Sequence, residues 1–591
     1  MPSAISRHMR IALGCATAVA AALPGSAREV VLSGDTRVVV ERNVEMSTRD
    51  GVKLRADVYR PDADGRFPVV LERTPYDKRL ESFGPQVAAR GYVFIAQDVR
   101  GRFASDGEWY PLKHEADDGY DAVEWAAALP YASGRVGMYG PSYLSAAQLL
   151  AAVAAPPHLS CIMPFAMASN FHEQWVYQGG AFSLVLNEGW SSAVSINVLE
   201  KRAGDGAQPS RWDMKLPPIG YPVLDLPAAQ QLAPYYYDWL RHPDYDDYWK
   251  QLSIEEHFGQ IRVPALHVGA WYDYFEDGPV RNFVGIRARG GSEAARRGQR
   301  LVMIVGGHAG AGPKIGDVDF GKDSVVDIGA LALRWYDFVM KGIDNGMAAE
   351  KPVRIFVTGA NKWVDADDWP VPGTRSVRYY MHSAGSANTL SGDGALSTEP
   401  PGAEAPDRYV YDPADPVPTT GGPAFGDARL RLGPCDQREV EKRADVLVYS
   451  TPALAHDTEV LGAVSLELAV SSSAVDTDFT GKLVDVRPDG TAINLKEGII
   501  RARYRASRER PGLMHPGEVC TVTVDLGSAA HVFLAGHRIR VEVSSSNFPH
   551  YDRNLNTGAG PGDPSTRAVV AANEVFHDGA RPSALVVALA P

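Results

Sequence analysis

The chain runs to 591 residues, 45% hydrophobic and 22% charged, which fits a globular protein with room for two or three domains and substantial cores. Its formal charge of −13 becomes −15 once residues 1–27, which hold Arg7 and Arg10 and no acid, are set aside. So acidic a chain repels polyanions, making nucleic acid and anionic membrane surfaces poor partners.

At the N-terminus, Arg7, His8 and Arg10 precede the apolar run IALGCATAVAAAL and the small-residue tail PGSA. The run is too short for a bilayer span and predicts a signal peptide over residues 1–27, hence export to the periplasm or beyond. The rest keeps Cys161, Cys435 and Cys520, an odd number at wide spacing without CxxC. No disulfide framework or zinc knuckle is indicated, and at most one bridge can form.

From about residue 36 to 110, strand-like runs (RVVVERNVEMST, VKLRADVYRP, FPVVLERTPY, YVFIAQDVRG) alternate with turn signals such as RDG, DADG and SDG. The run DDGYDAVEWAAAL follows with amphipathic helical spacing, and then the strand RVGMYG. Strands alternating with helices predict an α/β fold with a mostly parallel sheet over residues 28–159 and again over 256–373. Residues 160–255 change texture: aromatics crowd WVYQGGAF, NEGW and YYYDWLRHPDYDDYWK, and KLPPIGYPVLDLP interrupts, which predicts a helical insertion. Within it, YYYDWLRHPDYDDYWK reads as a solvated helical face, because its acids lack the glycine-bearing spacing of a calcium loop. Residues 374–591 consist of short alternating runs (VLVYST, AVSLELAVSS, CTVTVDLG, HRIRVEVSSS) and predict an all-β antiparallel sandwich.

The stretch GPSYLSAAQ places Ser142 between the strand RVGMYG and an alanine-rich helix. Gly140 two residues earlier suits the sharp turn that raises a nucleophilic hydroxyl over a sheet, while the closing glycine of G-x-S-x-G is missing and the small residue that follows is Ser145. A helix N-cap serine would look similar in isolation. A serine needs a base and an orienting acid, and in sheet-and-helix hydrolases the chain order is serine, acid, histidine. Asp273, after the strand PALHVGAWYD, and His308, after RLVMIVGG, fit that order at the carboxyl ends of predicted strands. Glu276 and Asp277 compete with Asp273, which could also cap a helix. His242, His257 and His267 compete with His308, but His267 lies within a strand and the other two in the insertion.

Several motifs in order, RTPYDK, QDVRGRFASDGEW, GPSYLSAAQ, WVYQGGAF, WYDYF, GGH, KLVDVRPDG and SSSNFPHYDRNLNTG, resemble the cocaine esterase and X-prolyl dipeptidyl-peptidase group of serine hydrolases from about residue 40 to the C-terminus. The resemblance implies an α/β-hydrolase domain, an inserted helical cap and a C-terminal jelly-roll sandwich. It implies Ser142 as nucleophile, Asp273 as acid, His308 as base, and an oxyanion hole from the Tyr76 hydroxyl and the Tyr143 backbone N–H. A neutral phenol and an N–H at a helix start are both competent donors to a developing oxyanion. It also implies an aromatic acyl pocket, matched here by Trp175, Trp190 and Phe275, which as bare sequence could equally be cap core.

The implied substrates are small-molecule esters, amides or short peptides. Branches of the group that hold a free amino group use carboxylates; Glu173, Glu276 and Asp277 are the candidates, although Gln174 stands where an acid would be more persuasive. Amino-ester, dipeptidyl and glutaryl-cephalosporin-type acylase action therefore stay open, as does a catalytically dead carbohydrate- or ligand-binding module. No HExxH, phosphate-binding GxxxxGK or dinucleotide fingerprint is present, so neither cofactor nor metal is expected. Oligomeric state leaves no signature in the sequence.

Overall fold

The computed structural model describes residues 28–204, 227–308, 310–423, 430–561 and 567–591. The expected signal segment and the proline-rich interruption up to Leu226 lie outside them. The N-terminal half is built on a twelve-stranded sheet. Its strands are β1 (Arg28–Ser33), β2 (Thr36–Ser47), β3 (Lys53–Pro61), β4 (Phe67–Thr74), β5 (Val93–Asp98), β6 (Ala132–Met138), β7 (Leu159–Ile162), β8 (Ala265–Tyr272), β9 (Gln299–Gly307), β10 (Val353–Val357) and β11 (Lys362–Ala366), with Gly310–Ala311 pairing at the end of β9. In space they run β1-β2-β3-β5-β4-β6-β7-β8-β9-β10-β11. From β5 to β10 every pairing is parallel; β1 to β3 and β11 add antiparallel edges.

The central strands are near-continuous apolar runs because helices cover both faces. Successive residues divide between two cores. Val69, Leu71, Val93 and Ile95 face the helices Glu115–Ala128 and Tyr143–Ala154, whereas Val70, Phe94 and Ala96 face Gly84–Ala89 and Ile328–Lys341. That is the period-two alternation of a pleated strand with neither face in water.

Between β7 and β8 the chain leaves the sheet through a short hairpin, Tyr177–Gln178 with Ala181–Phe182, and the helices Leu184–Gly204, Pro227–Leu232, Pro234–Arg241, Asp247–Lys250 and Ile254–His257. The run YYYDWLRHPDYDDYWK is not a solvated face. Tyr235, Tyr236, Tyr237, Trp239, Tyr245 and Trp249 are buried in the core shared with the sheet, while the charged residues between them, Arg241 and Asp247 most of all, reach the surface. Ring area outweighs the carboxylates, which need only point outward.

The C-terminal half is an eleven-stranded sheet with almost wholly antiparallel pairing, organised on the long strand Thr458–Ser472. That strand pairs with Cys520–Phe533 on one side and with both Ala571–Phe576 and Ala584–Leu589 on the other. It closes over its own core of Leu466, Leu468, Phe479, Leu483, Val541 and Leu585. Cys161, Cys435 and Cys520 are free thiols, so the one permitted bridge does not form.

The two halves meet tightly at the hairpin. Gly179 and Gly180 have φ of +52° and +83°, and an added Cβ would lie 2.0 Å from the Ile499 carbonyl oxygen and 2.0 Å from the Tyr504 ring. Only glycine fits both the conformation and the space. The Arg501 N–H donates to the Gly179 carbonyl at 2.8 Å, the Phe182 N–H donates to Asp552 at 2.7 Å, and Phe548 packs against the hydrolase core. Among the described residues no helix is long and apolar enough to cross a membrane.

Candidate active site

The strand β6 ends at Met138, and the turn that follows carries the chain to Ser142 at the N-cap of the helix Tyr143–Ala154. Gly140 sits at φ +121°, where an added Cβ would come within 2.6 Å of Leu144. Ser142 itself has φ 58° and ψ −131°, a conformation rare for a non-glycine residue and characteristic of a strained, exposed turn. Its N–H is anchored to the Phe165 carbonyl at 2.9 Å. The residue two after Ser142, where the familiar motif has glycine, is Leu144; Ser145 comes one further on and has a different part. Its hydroxyl donates to the Gly140 carbonyl at 2.6 Å and accepts from the Phe165 N–H at 2.7 Å. Gln148 adds a second staple, donating to Gly140 at 2.8 Å and accepting from Met163 N–H at 2.9 Å. Sequence reasoning reads Ser145 only as a small residue of the turn and passes over Gln148; the available signal is two polar residues inside the otherwise apolar helix YLSAAQLLAAVA.

Asp273 and His308 leave the ends of the adjacent parallel strands β8 and β9, whose Tyr272 and Gly307 are register partners. The two side chains emerge next to each other above the nucleophile turn. His308 Nε2 lies 2.9 Å from Ser142 Oγ, and its Nδ1 lies 3.2 and 3.1 Å from the two Asp273 oxygens. Asp273 is buried and accepts the Phe275 N–H at 2.7 Å, which fixes its carboxylate. Burial alone would pull the His308 pKa down, but the charge of Asp273 and its hydrogen bond outweigh it and hold the imidazole above its ordinary value. The competing histidines sit elsewhere. His267 is buried in β8 against Gln299, pulled down to about 4 by burial, and His242 pairs with Asp246 in the insertion.

Tyr76 follows β4, and its hydroxyl accepts the Trp190 indole N–H at 2.9 Å while also interacting with Ser142. Burial raises the phenol pKa, so it stays a neutral donor. The Tyr143 backbone opens its helix: Leu144, Ser145 and Ala146 donate to Pro141 and Ser142, and the Tyr143 N–H precedes that ladder. Its ring serves separately, the hydroxyl accepting from Leu112 N–H at 2.7 Å and donating to Glu115 at 3.0 Å.

The three expected pocket aromatics come together. Trp175 meets Trp190 edge-on at 5.1 Å and Phe275 at 5.9 Å, and Phe275 meets the His308 ring at 5.3 Å. Trp190 also stacks on Tyr143 at 6.0 Å and Trp239 at 6.2 Å. The cluster is therefore both cap core and wall of the site, with Trp109, Tyr235 and Trp239 as members that sequence reasoning did not single out.

The candidate amine-binding acids are already engaged. Glu276 pairs with Lys496 from the C-terminal half, Asp277 with Arg281, and Glu173 with His172 at 3.1 Å. Rather than facing solvent at a helix start, Glu276 and Asp277 border a cavity of about 200 Å³ at the seam between the halves, with Glu173, Gln174, Lys496 and Arg508. Burial pushes Glu276 up to about 8 even beside Lys496. Among the described residues no cluster of metal-ligating side chains occurs.

A parallel sheet with a strained serine turn, and an imidazole and carboxylate at successive strand ends, define an α/β-hydrolase. Residues 50–310 match the model of the X-Pro dipeptidyl-peptidase (S15) family, and residues 345–586 that of the X-Pro dipeptidyl-peptidase C-terminal non-catalytic domain. Cocaine esterase of Rhodococcus sp. is 39% identical over 549 residues, covering 89% of this chain and 94% of that protein. The crystal structure of an aminopeptidase from a marine-sediment Thaumarchaeota archaeon aligns with TM-score 0.78 and 25% identity over 95% of this chain and 96% of that one. An α-amino acid ester hydrolase aligns with TM-score 0.76 and 25% identity over 94% and 97%. The chain belongs to the cocaine esterase and X-prolyl dipeptidyl-peptidase family of serine hydrolases, and it is an ester hydrolase.

Proposed function

We propose that this hydrolase is an exported enzyme that cleaves carboxylic esters through an acyl-enzyme on Ser142 and favours hydrophobic or aromatic acyl groups. The observation that carries the reading is the Ser142–His308–Asp273 chain of contacts at 2.9 and 3.1 Å, with the Trp175, Trp190 and Phe275 rings against it. In this reading Ser142 Oγ attacks the ester carbonyl carbon while its proton passes to His308 Nε2. The oxygen that gains the charge is met by the Tyr76 hydroxyl and the Tyr143 N–H. Collapse expels the alcohol with the proton from the imidazolium; water, deprotonated by the same His308, then releases the acid and frees Ser142. Asp273 remains ionised, keeping the imidazole in the required tautomer.

Two structural relatives carry names that imply a free amino group on the substrate. The fate of the acids argues against that requirement here, since an ammonium would have to displace Lys496 or Arg281, or find Glu173 free of His172. Apolar burial in the ring cluster favours the acyl chain without it.

The test is Ser142→Ala with a panel of phenylacetyl, butyryl and aminoacyl esters and their matching amides. Turnover of p-nitrophenyl esters should fall about 10⁴-fold or more, and a fluorophosphonate probe should label the unmodified protein but not the variant. A variant that kept most of its activity would end the assignment, and a large preference for aminoacyl substrates would replace the acyl reading with an amine-dependent one. Residues 1–27 are the proposed export signal, and a mature N-terminus other than near Arg28 in the exported fraction would count against it.

A further inference from the structure

Arg102 is buried beside Tyr76, 2% exposed, and among the described residues it forms no ion pair. Isolated buried charges are costly, and arginines that lose contact with water normally find a carboxylate. This one bonds two carbonyl oxygens instead, Nε to Pro75 at 2.8 Å and Nη1 to Val194 at 2.7 Å, while its face lies 5.1 Å from the Trp109 ring and 5.1 Å from Phe103. The nearby acid Asp98 is held by Lys78 at 3.2 Å. Burial draws the guanidinium down to about 10, so it remains a cation at neutral pH.

Both carbonyls lead to Tyr76. The Pro75 carbonyl belongs to the peptide that enters Tyr76. Val194 lies one turn beyond Trp190 in the helix Leu184–Gly204, and the Trp190 indole holds the Tyr76 hydroxyl. Arg102 thus grips both ends of the tyrosine, its backbone and the helix that aims its oxygen. Neighbouring contacts dock the same helix face on the same loop: Asn197 accepts the Phe103 N–H at 3.0 Å, and Lys201 donates to the Ser105 carbonyl at 2.6 Å. A cation without a counter-ion also favours negative charge developing on the far side of the phenol hydroxyl, through a medium that screens little.

We propose that Arg102 is a positioning residue for the oxyanion hole, fixing Tyr76 between the catalytic sheet and the cap helix and strengthening its hydroxyl as a donor through an uncompensated charge. The proposal rests on the role of Tyr76 as an oxyanion donor.

The test is a double-mutant cycle in the full-length chain. Arg102→Met and Arg102→Lys are each made in the unmodified and the Tyr76→Phe backgrounds. The readouts are kcat and KM for p-nitrophenyl butyrate, the inhibition constant of phenylboronic acid, whose tetrahedral adduct on Ser142 presents an oxygen to the hole, and the unfolding midpoint. Arg102→Met should lower kcat roughly 10- to 100-fold with KM within about twofold, and weaken the boronic acid in parallel. In the Tyr76→Phe background the same change should cost less than about threefold. Arg102→Lys, which keeps the charge and one carbonyl bond, should lose less, and carries the same comparison if Arg102→Met does not fold. Equal losses in the two backgrounds, or a lowered midpoint with kcat intact, would overturn the proposal and leave Arg102 as a mere cap staple. Unchanged turnover in Tyr76→Phe alone would instead sink the oxyanion-hole reading on which it rests.

Discussion

Replacing Tyr76 by phenylalanine removes one oxygen and leaves the ring, so its consequences for rate and for stability can be separated. The rate effect follows from the loss of one preorganised donor, which costs about 10² to 10³ in kcat, or roughly 3 to 4 kcal/mol of barrier. KM should hold within about twofold, because the phenyl ring still packs where the phenol did and the ground state gains little from the hydroxyl. The stability effect falls on Trp190: its indole N–H loses its acceptor in a side chain only 7% exposed, and an unsatisfied buried donor costs about 1 to 3 kcal/mol. Tyr76 is only partly buried, so water can enter where its oxygen was, and the lower end of that range is expected. Steady-state kinetics on p-nitrophenyl butyrate and a denaturant-induced unfolding curve measure the two effects on one preparation. A kcat within threefold of the unmodified enzyme, together with the expected small loss of stability, would show that the hydroxyl serves Trp190 and not the reaction. The hole would then rest on the Tyr143 N–H alone.

The pH profile tests the other side of the site. His308 must be neutral to accept the Ser142 proton, and Asp273 holds its pKa above 6.5, so kcat/KM should rise with pH about a midpoint above that value. In Asp273→Asn only the burial effect remains, so the residual activity should titrate below 6.5; a limb unmoved by this change would contradict the pairing. In the C-terminal half, the buried His577 lies between Asp407 at 2.8 Å and Glu404 at 3.2 Å, and despite the opposing effect of burial these carboxylates raise its pKa while their own are lowered. A raised histidine contributes stability that is fully present below its unfolded pKa of about 6.5 and is lost as pH rises through the folded value. His577→Gln should therefore be most destabilised near pH 5 to 6 and approach the unmodified protein toward pH 9, and a pH-independent gap in unfolding midpoint would refute the linkage. Expressed alone, residues 28–373 should be insoluble or inactive, because removing Phe548, Asp552 and Lys496 exposes the hydrolase core at the hairpin and strands Glu276; a soluble, fully active fragment would overturn this.

How much of this could be seen beforehand depended on how far along the chain each cause acts. The convergence of positions 142, 273 and 308 was legible because parallel strands deliver residues just past their carboxyl ends to one edge, and β8 and β9 are neighbours in register. The division of strand residues between two cores follows equally from local alternation. In the run YYYDWLRHPDYDDYWK, acids among the aromatics suggested a wet face, but local pattern does not disclose whether another layer covers a short helix. The cap and sheet cover this one, and the rings decide the outcome.

Glu276 is the clearest case of information held elsewhere. Its own neighbours allow a solvated helix start, a substrate ligand or a buried pair, and the choice is made by Lys496, on a strand of the other half 220 residues later. Gly179 and Gly180 show the same dependence from the opposite direction. Nothing in WVYQGGAF demands two glycines until the Ile499 carbonyl and the Tyr504 ring are brought against them. These contacts place the C-terminal sheet against the very turn that carries Asp273, since the Glu276 N–H bonds the Asp273 carbonyl at 3.2 Å. The carboxylate that orients His308 is thus held by a loop whose outer side is the second domain. Lys496 and the glycine pair, remote from the chemistry, thus set how the C-terminal half seats against the site that the motifs name.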